Sequence, residues 1–100
     1  MILHTVNKSP SHNNCLSSCL RVAPANSALL LIEDGVYAAV ENTESSGLII
    51  NALETMKVYA LEPDVKARAL SDRLIANIEL VDYARFVKLT GQYHTVQSWY

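Results

Sequence analysis

A three-layer α/β/α fold around a mostly parallel sheet of four to five strands is what this sequence predicts, and three observations predict it. The run from Ala28 to Glu33 holds Leu29-Leu30-Leu31-Ile32 without a polar break, the pattern of a strand buried on both faces. Strand-like and helix-like segments alternate along the whole length, as the crossover units of a parallel sheet require. Glu33-Asp34-Gly35 then closes the apolar run with two carboxylates and a turn signal. Open α/β sheets place their ligand crevices and partner contacts at the carboxyl ends of strands, so any site is expected on that rim. One hundred residues suffice for one hydrophobic core, and residues 1–100 read as one domain.

The elements follow in order. Ile2 to Val6 is a short apolar strand, after which Ser9 caps a helix and Pro10 takes its first position. Cys15, Leu16, Cys19, Leu20 and Ala23 form that helix's inward stripe, stopped by Pro24 and Asn26. The second strand is Ala28 to Glu33, and Asp34 caps a short helical piece from Val36 to Val40. Asn42 to Gly47 is a polar loop, and Leu48, Ile49, Ala52, Leu53 and Met56 make another apolar helical face. Lys57 to Leu61 is the third strand, ended by Glu62-Pro63-Asp64 and followed by a helix from Val65 to Leu70. Asn77 to Val81 is the fourth. Asp82 caps a last helix whose inner face is read as Tyr83, Phe86, Val87 and Thr90, fading at Gly91. The tail from His94 to Tyr100 is either a fifth, edge strand or an irregular arm.

Composition narrows the function. Half the residues are hydrophobic and only 18% are charged, a balance that hints at buried interface. Eight Lys and Arg against ten Asp and Glu give a net charge of -2, with the cations spread thinly from Lys8 to Lys88. Such a chain has no means of neutralising a run of phosphates, so direct nucleic-acid binding is not expected. The start Met1-Ile2-Leu3-His4 lacks the basic and long apolar regions of a secretory signal, and no segment approaches the roughly eighteen apolar residues of a membrane span. A cytoplasmic location with no membrane contact is the expectation. Cys15 and Cys19 would then stay reduced, and a spacing of four on one helix suits a disulfide poorly.

Motifs narrow it further. Three glycines, Gly35, Gly47 and Gly91, cannot build a dinucleotide turn or a phosphate loop. His4, His12 and His94 are scattered, and Cys15 with Cys19 lack a second pair at zinc spacing, so neither a metal nor a cofactor is expected. No G-x-S-x-G elbow exists for a hydrolase nucleophile. Cys19 is the one residue whose chemistry could matter, although a cysteine beside Leu16 and Leu20 on an apolar stripe is also an ordinary small hydrophobe. A helix starting at Pro10 puts it in the third turn, too deep for the helix N-terminus to favour a thiolate; a start near Asn13 or Asn14 brings it closer. Glu33 and Asp34 are acid or base groups at the rim, or more simply solvated caps. His4 reads as a hydrogen-bonded structural histidine. Trp99 and Tyr100 are either a frayed end or an interface anchor.

The chain resembles the DsrH/TusB family over essentially its full length. The likeness is carried by Ile2-Leu3-His4-Thr5-Val6-Asn7-Lys8-Ser9-Pro10 and by Leu29-Leu30-Leu31-Ile32-Glu33-Asp34-Gly35-Val36-Tyr37-Ala38-Ala39. It continues in Tyr59-Ala60-Leu61-Glu62-Pro63-Asp64 with Lys66-Ala67-Arg68, in Val81-Asp82-Tyr83 with Phe86-Val87, and in Val96-Gln97-Ser98-Trp99. The resemblance implies a subunit of a heterohexameric sulfur-relay complex of the DsrEFH or TusBCD kind. Its partners would be sister subunits of the DsrEF or TusCD type and a DsrC- or TusE-like sulfur acceptor; the high apolar content and aromatic terminus of the chain itself predict homo-oligomers when it is isolated. Persulfide sulfur would pass from a donor protein to that acceptor, in sulfur oxidation or in 2-thiolation of the tRNA wobble uridine. The sulfur-oxidation branch carries a cysteine in the first helix, which Cys19 matches, so the resemblance leans to the DsrH side and implies a partly accessible, catalytic Cys19. Cys15 has no counterpart in the family pattern. The alternative is an interaction subunit whose sister carries out the sulfurtransferase chemistry.

Overall fold

The computed structural model describes residues 2–11, 14–24, 26–93 and 95–100. Within them lie strands β1 (Ile2–Val6), β2 (Ala28–Leu31), β3 (Lys57–Leu61), β4 (Glu79–Val81) and β5 (Thr95–Trp99). The helices are α1 (Cys15–Val22), a 3-10 helix (Glu33–Ala39), α2 (Ser46–Ala52), α3 (Glu62–Ala67) and α4 (Tyr83–Gln92). All five strands join one sheet in the order β4-β3-β2-β1-β5, and all four pairings are parallel. The tail is therefore an edge strand beside β1, with His4 opposite Gln97 and Val6 opposite Trp99. His94, where that tail was expected to begin, lies outside the described residues, as do His12, Asn13 and the start Met1.

The topology fixes which face each helix covers. From β1 to β4 the chain steps one strand at a time in one direction, and then returns across the whole sheet to place β5. Crossovers of a single hand must switch faces when their direction reverses. Accordingly Leu16 and Cys19 of α1, Val36 and Ala38 of the 3-10 helix, Ile49 of α2 and Val65 of α3 share one core with Val6, Leu29, Leu31 and Val58. Leu89, Phe86 and Tyr93, from α4 and its end, pack on the opposite face against Leu3, Leu30, Tyr59 and Val81. All four residues of β2 are buried, as the unbroken leucine run requires of a strand covered on both sides.

Several boundaries differ from the sequence reading. The first helix begins at Cys15, not Pro10, because the Ser9 hydroxyl is spent on a local turn, 2.9 Å from the Ser11 hydroxyl. Strand β2 ends at Leu31, where the Ile32 N–H donates to the Val6 carbonyl at 3.1 Å and the chain turns into the 3-10 helix. Asp34 therefore lies inside that helix and caps nothing. Helix α3 starts at Glu62, with Pro63 in its first turn, and stops before Ala69, which adopts φ 56°. Strand β4 begins only at Glu79 because Asn77, at φ 73°, is still in the preceding turn. Asp82 does cap α4, its carboxylate accepting the Arg85 N–H at 2.8 Å. The inner face of α4 is Phe86 and Leu89; Tyr83 and Val87 are 60% and 68% exposed. Both stripes satisfy a helical period and share Phe86, so periodicity alone did not choose between them.

Of the three glycines, Gly35 alone has no room for a side chain. A Cβ at that position would stand 2.0 Å from the Val6 carbonyl oxygen and 2.8 Å from the Val6 carbonyl carbon, both backbone atoms. Gly35→Ala is expected to cost about 3 kcal/mol, because strand end and helix must separate. Gly91→Ala, which meets nothing within 4 Å inside α4, is expected to be neutral or to stabilise by up to about 1 kcal/mol. Urea denaturation of the two variants measures the contrast.

Candidate functional site

Helix α1 is short and amphipathic: Leu16 and Cys19 turn into the core, while Arg21 and one apolar residue, Val22, face out. With the helix starting at Cys15, Cys19 stands in the second turn, beyond the strongest part of the helix N-terminal field. Its side chain is 1% exposed and packed in the same core as Val6 and Leu29. The expectation of a partly accessible Cys19 is thus corrected by the structure: the stripe that makes α1 amphipathic also takes this thiol out of solvent. Burial, with a smaller contribution from Cys15, pushes the Cys19 pKa up to about 12. The neighbouring Cys15 is half-buried at the start of the same helix.

The rim at the carboxyl ends of the strands brings together residues far apart in sequence. Arg68, at the end of α3, donates from Nε and Nη2 to one oxygen of Asp34 at 3.0 and 2.9 Å. Its Nη1 donates to the Asp64 backbone carbonyl at 3.2 Å and lies 3.8 Å from the Asp64 carboxylate. The guanidinium carbon stands 6.0 Å from the centre of the Tyr37 ring. Asp64 in turn accepts the Glu33 N–H at 2.7 Å, which helps hold Glu33 at φ 49°. Glu33 and Asp34 were singled out as acid, base or cap candidates; Asp34 is an ion-pair partner and the Glu33 side chain faces solvent. Arg68 and Asp64, which complete the arrangement, were missed as site residues. Their spacing of four on a helix was the available signal.

An open cavity of about 480 Å³ lies along this rim, lined among others by Ser9, Tyr37, Thr43, Glu44, Ser45 and Arg73. Its hydroxyls are engaged with one another, Ser9 with Ser11 and Thr43 with Ser45 at 3.3 Å. Among the described residues no group of three or more His, Cys, Asp or Glu side chains is placed to hold a metal ion, and no helix is long and apolar enough to cross a membrane.

The first and last strands are linked by side chains. Trp99 donates from its indole Nε1 to Nδ1 of His4 at 3.1 Å, and the Thr5 hydroxyl donates to the Ser98 hydroxyl at 3.2 Å. His4 is 2% exposed, the buried structural histidine that the sequence suggested. Tyr100 is 81% exposed, and with Tyr83, Val87 and Val96 it adds apolar area to the outer surface.

Comparison with known proteins places this arrangement. The DsrH family, described as "DsrH like protein", matches residues 8–96. The chain belongs to the DsrH/TusB family. It is 38% identical over 98 residues to Protein TusB of Enterobacter sp. (strain 638) and 37% identical over 98 residues to Protein TusB of Yersinia pestis (strain Pestoides F). In both cases 98% of this chain and 100% of the relative are covered. Among solved structures, the ychN protein from E. coli superposes with a TM-score of 0.84 at 19% identity, covering 98% of this chain and 97% of that one. The parallel α/β architecture is thus shared with that protein.

Two outcomes are expected from these contacts. Arg68→Ala should lower stability by about 1–2 kcal/mol in chemical denaturation, since it removes both hydrogen bonds to Asp34 and leaves Asp64 with the Glu33 N–H but without its nearby cation. In the native protein, iodoacetamide should label Cys15 before Cys19, whose labelling awaits unfolding; peptide mass mapping over time distinguishes the two.

Proposed function

We propose that this chain is a non-catalytic interaction subunit of a cytoplasmic sulfur-relay complex. It assembles with sister subunits of the TusC and TusD type and helps present a docking surface to a TusE-like acceptor that receives persulfide sulfur. Family membership across the whole chain supports the relay assignment, and the TusB name of the relatives favours tRNA 2-thiolation over sulfur oxidation as the destination. The observation that carries the division of labour is Cys19, 1% exposed with its pKa pushed up to about 12. A persulfide is passed by attack of a thiolate on the outer sulfur, and a thiol both buried and protonated meets neither requirement. Exposed apolar side chains on α4 and β5 suit a chain that lives against partners.

The second reading keeps Cys19 as the sulfur carrier. It rests on the place of this cysteine in the first helix and requires α1 to move within the complex so that the thiol is uncovered and ionised.

One experiment separates the readings. The assembled complex is incubated with a persulfide donor, and added sulfur is mapped by peptide mass. Cys19→Ala is the suitable control, because Cys19→Ser buries an unpaired hydroxyl at a cost of about 1–3 kcal/mol. The interaction reading expects the added sulfur on a sister subunit and wild-type transfer by Cys19→Ala. Sulfur on Cys19 together with loss of transfer in Cys19→Ala would establish the second reading instead. A chain that stays monomeric by light scattering with its sisters present would remove both.

A further inference from the structure

Strand β5 is held in an unusual way for an edge strand. Four of its five residues are exposed and only Trp99 is partly buried, so little apolar burial fixes it to the sheet. Besides the parallel ladder to β1, it has two side-chain ties, Thr5 to Ser98 and Trp99 to His4. The second depends on protonation. An indole N–H can only donate, so Nδ1 of His4 must be the bare acceptor and the imidazole proton must sit on Nε2. That Nε2 is buried without a hydrogen-bond partner.

We propose that the His4–Trp99 hydrogen bond is a proton-operated latch on the C-terminal strand, so that protonation of His4 releases β5 and bares the edge of β1. A proton arriving at Nδ1 would point at the indole N–H, donor against donor, and the bond could not survive. Among the described residues, nothing around His4 would compensate the new charge. Strand β2, across from it, is Ala-Leu-Leu-Leu, and β5 carries no titratable residue between Thr95 and Trp99. Helix α1, packed over β1 and β5, offers on its inward side only the thiols Cys15 and Cys19; its one charged residue, Arg21, is an exposed cation. The 3-10 helix abuts the far end of β1 at Val6, and its Asp34 is engaged by Arg68 while Glu33 faces solvent. Lys8, just past the strand, is exposed.

The direction of the response follows. Burial lowers the pKa of the latched His4 below its ordinary 6.5, so the closed form resists the proton that a freed imidazole accepts. The latch is therefore fully effective above pH 6.5 and weakens as the pH falls below it. The population with β5 detached should therefore rise between pH 7.5 and 5.5, by at most about tenfold for a freed imidazole titrating near 6.5.

Hydrogen exchange of the full-length chain at these two pH values, corrected for intrinsic exchange rates, tests this. Residues 95–99 should lose protection at pH 5.5, by up to about tenfold, while β2 and β3 keep theirs. His4→Asn places an oxygen acceptor near the Nδ1 position and does not titrate, so its β5 should hold equal protection at both pH values. Trp99→Phe removes the donor and keeps an aromatic ring; its β5 should be weakly protected and insensitive to pH. Equal β5 protection at both pH values in the wild type would overturn the latch, and so would a parallel loss across β2 and β3. A wild-type-like pH response in His4→Asn would assign the effect to another histidine and overturn it too. Should His4→Asn fail to fold, a pH response persisting in Trp99→Phe overturns the latch by itself.

Discussion

The carboxyl rim of this molecule depends on how closely the backbone at Gly35 lies against the end of β1. The Val6 carbonyl accepts the Ile32 N–H at 3.1 Å, and the Gly35 N–H donates back to the Ile32 carbonyl at 2.8 Å. This knot closes only if position 35 has no Cβ, since the space is filled by the Val6 carbonyl. The φ of Gly35 is not positive, so its role is the close approach and not an unusual backbone conformation. From that point the 3-10 helix sends Val36, Ala38 and Ala39 inward to the core and leaves Asp34 and Tyr37 outward, where both meet Arg68. A missing methyl group thereby couples the pairing of two central strands to the ion-pair cluster on the surface.

The second organising feature is the unequal loading of the two faces. Three crossovers in one direction put α1, the 3-10 helix, α2 and α3 on one side of the sheet, and the single return leaves α4 alone on the other. Ten residues of helix must then shield the inward side chains of several strands, so Phe86 and Leu89 are drawn down onto Leu3, Leu30 and Tyr59. The price is that Tyr83 and Val87, one turn apart on the outer side of the same helix, remain in solvent. An exposed apolar stripe on a helix already packed through its other side is a feature of chains that bury it against a partner.

What could be read from the sequence follows from how local each determinant is. The leucine run of β2 and the Asp82 cap are local signals, and both match the structure, as does the parallel sheet they imply. The start of α1 was misread because Ser9-Pro10 carries the same residues as a helix cap and a turn, and the choice was made by a side-chain bond to Ser11. Asp34 was misread as a cap for a different reason. Its partner Arg68 is 34 positions away, and only the packing of α3 beside the 3-10 helix brings them together. The two stripes of α4 could not be ranked without knowing that one helix would have to cover an entire face.

Cys19 shows where resemblance and local chemistry part. Position in the first helix suggests a sulfur carrier, yet a carrier must be a thiolate that a donor can reach. The same apolar stripe that makes α1 fold onto the sheet sets Cys19 among Leu16, Val6 and Leu29, and desolvation there holds the proton on sulfur. With the pKa pushed up to about 12, the thiolate is a very small minority at pH 7. Exposing the thiol would take α1 off β1 and β5, the strands tied by His4 and Trp99. Burial and reactivity at this position are therefore opposed through one helix: whatever keeps α1 docked on the sheet also keeps the Cys19 thiol buried and protonated.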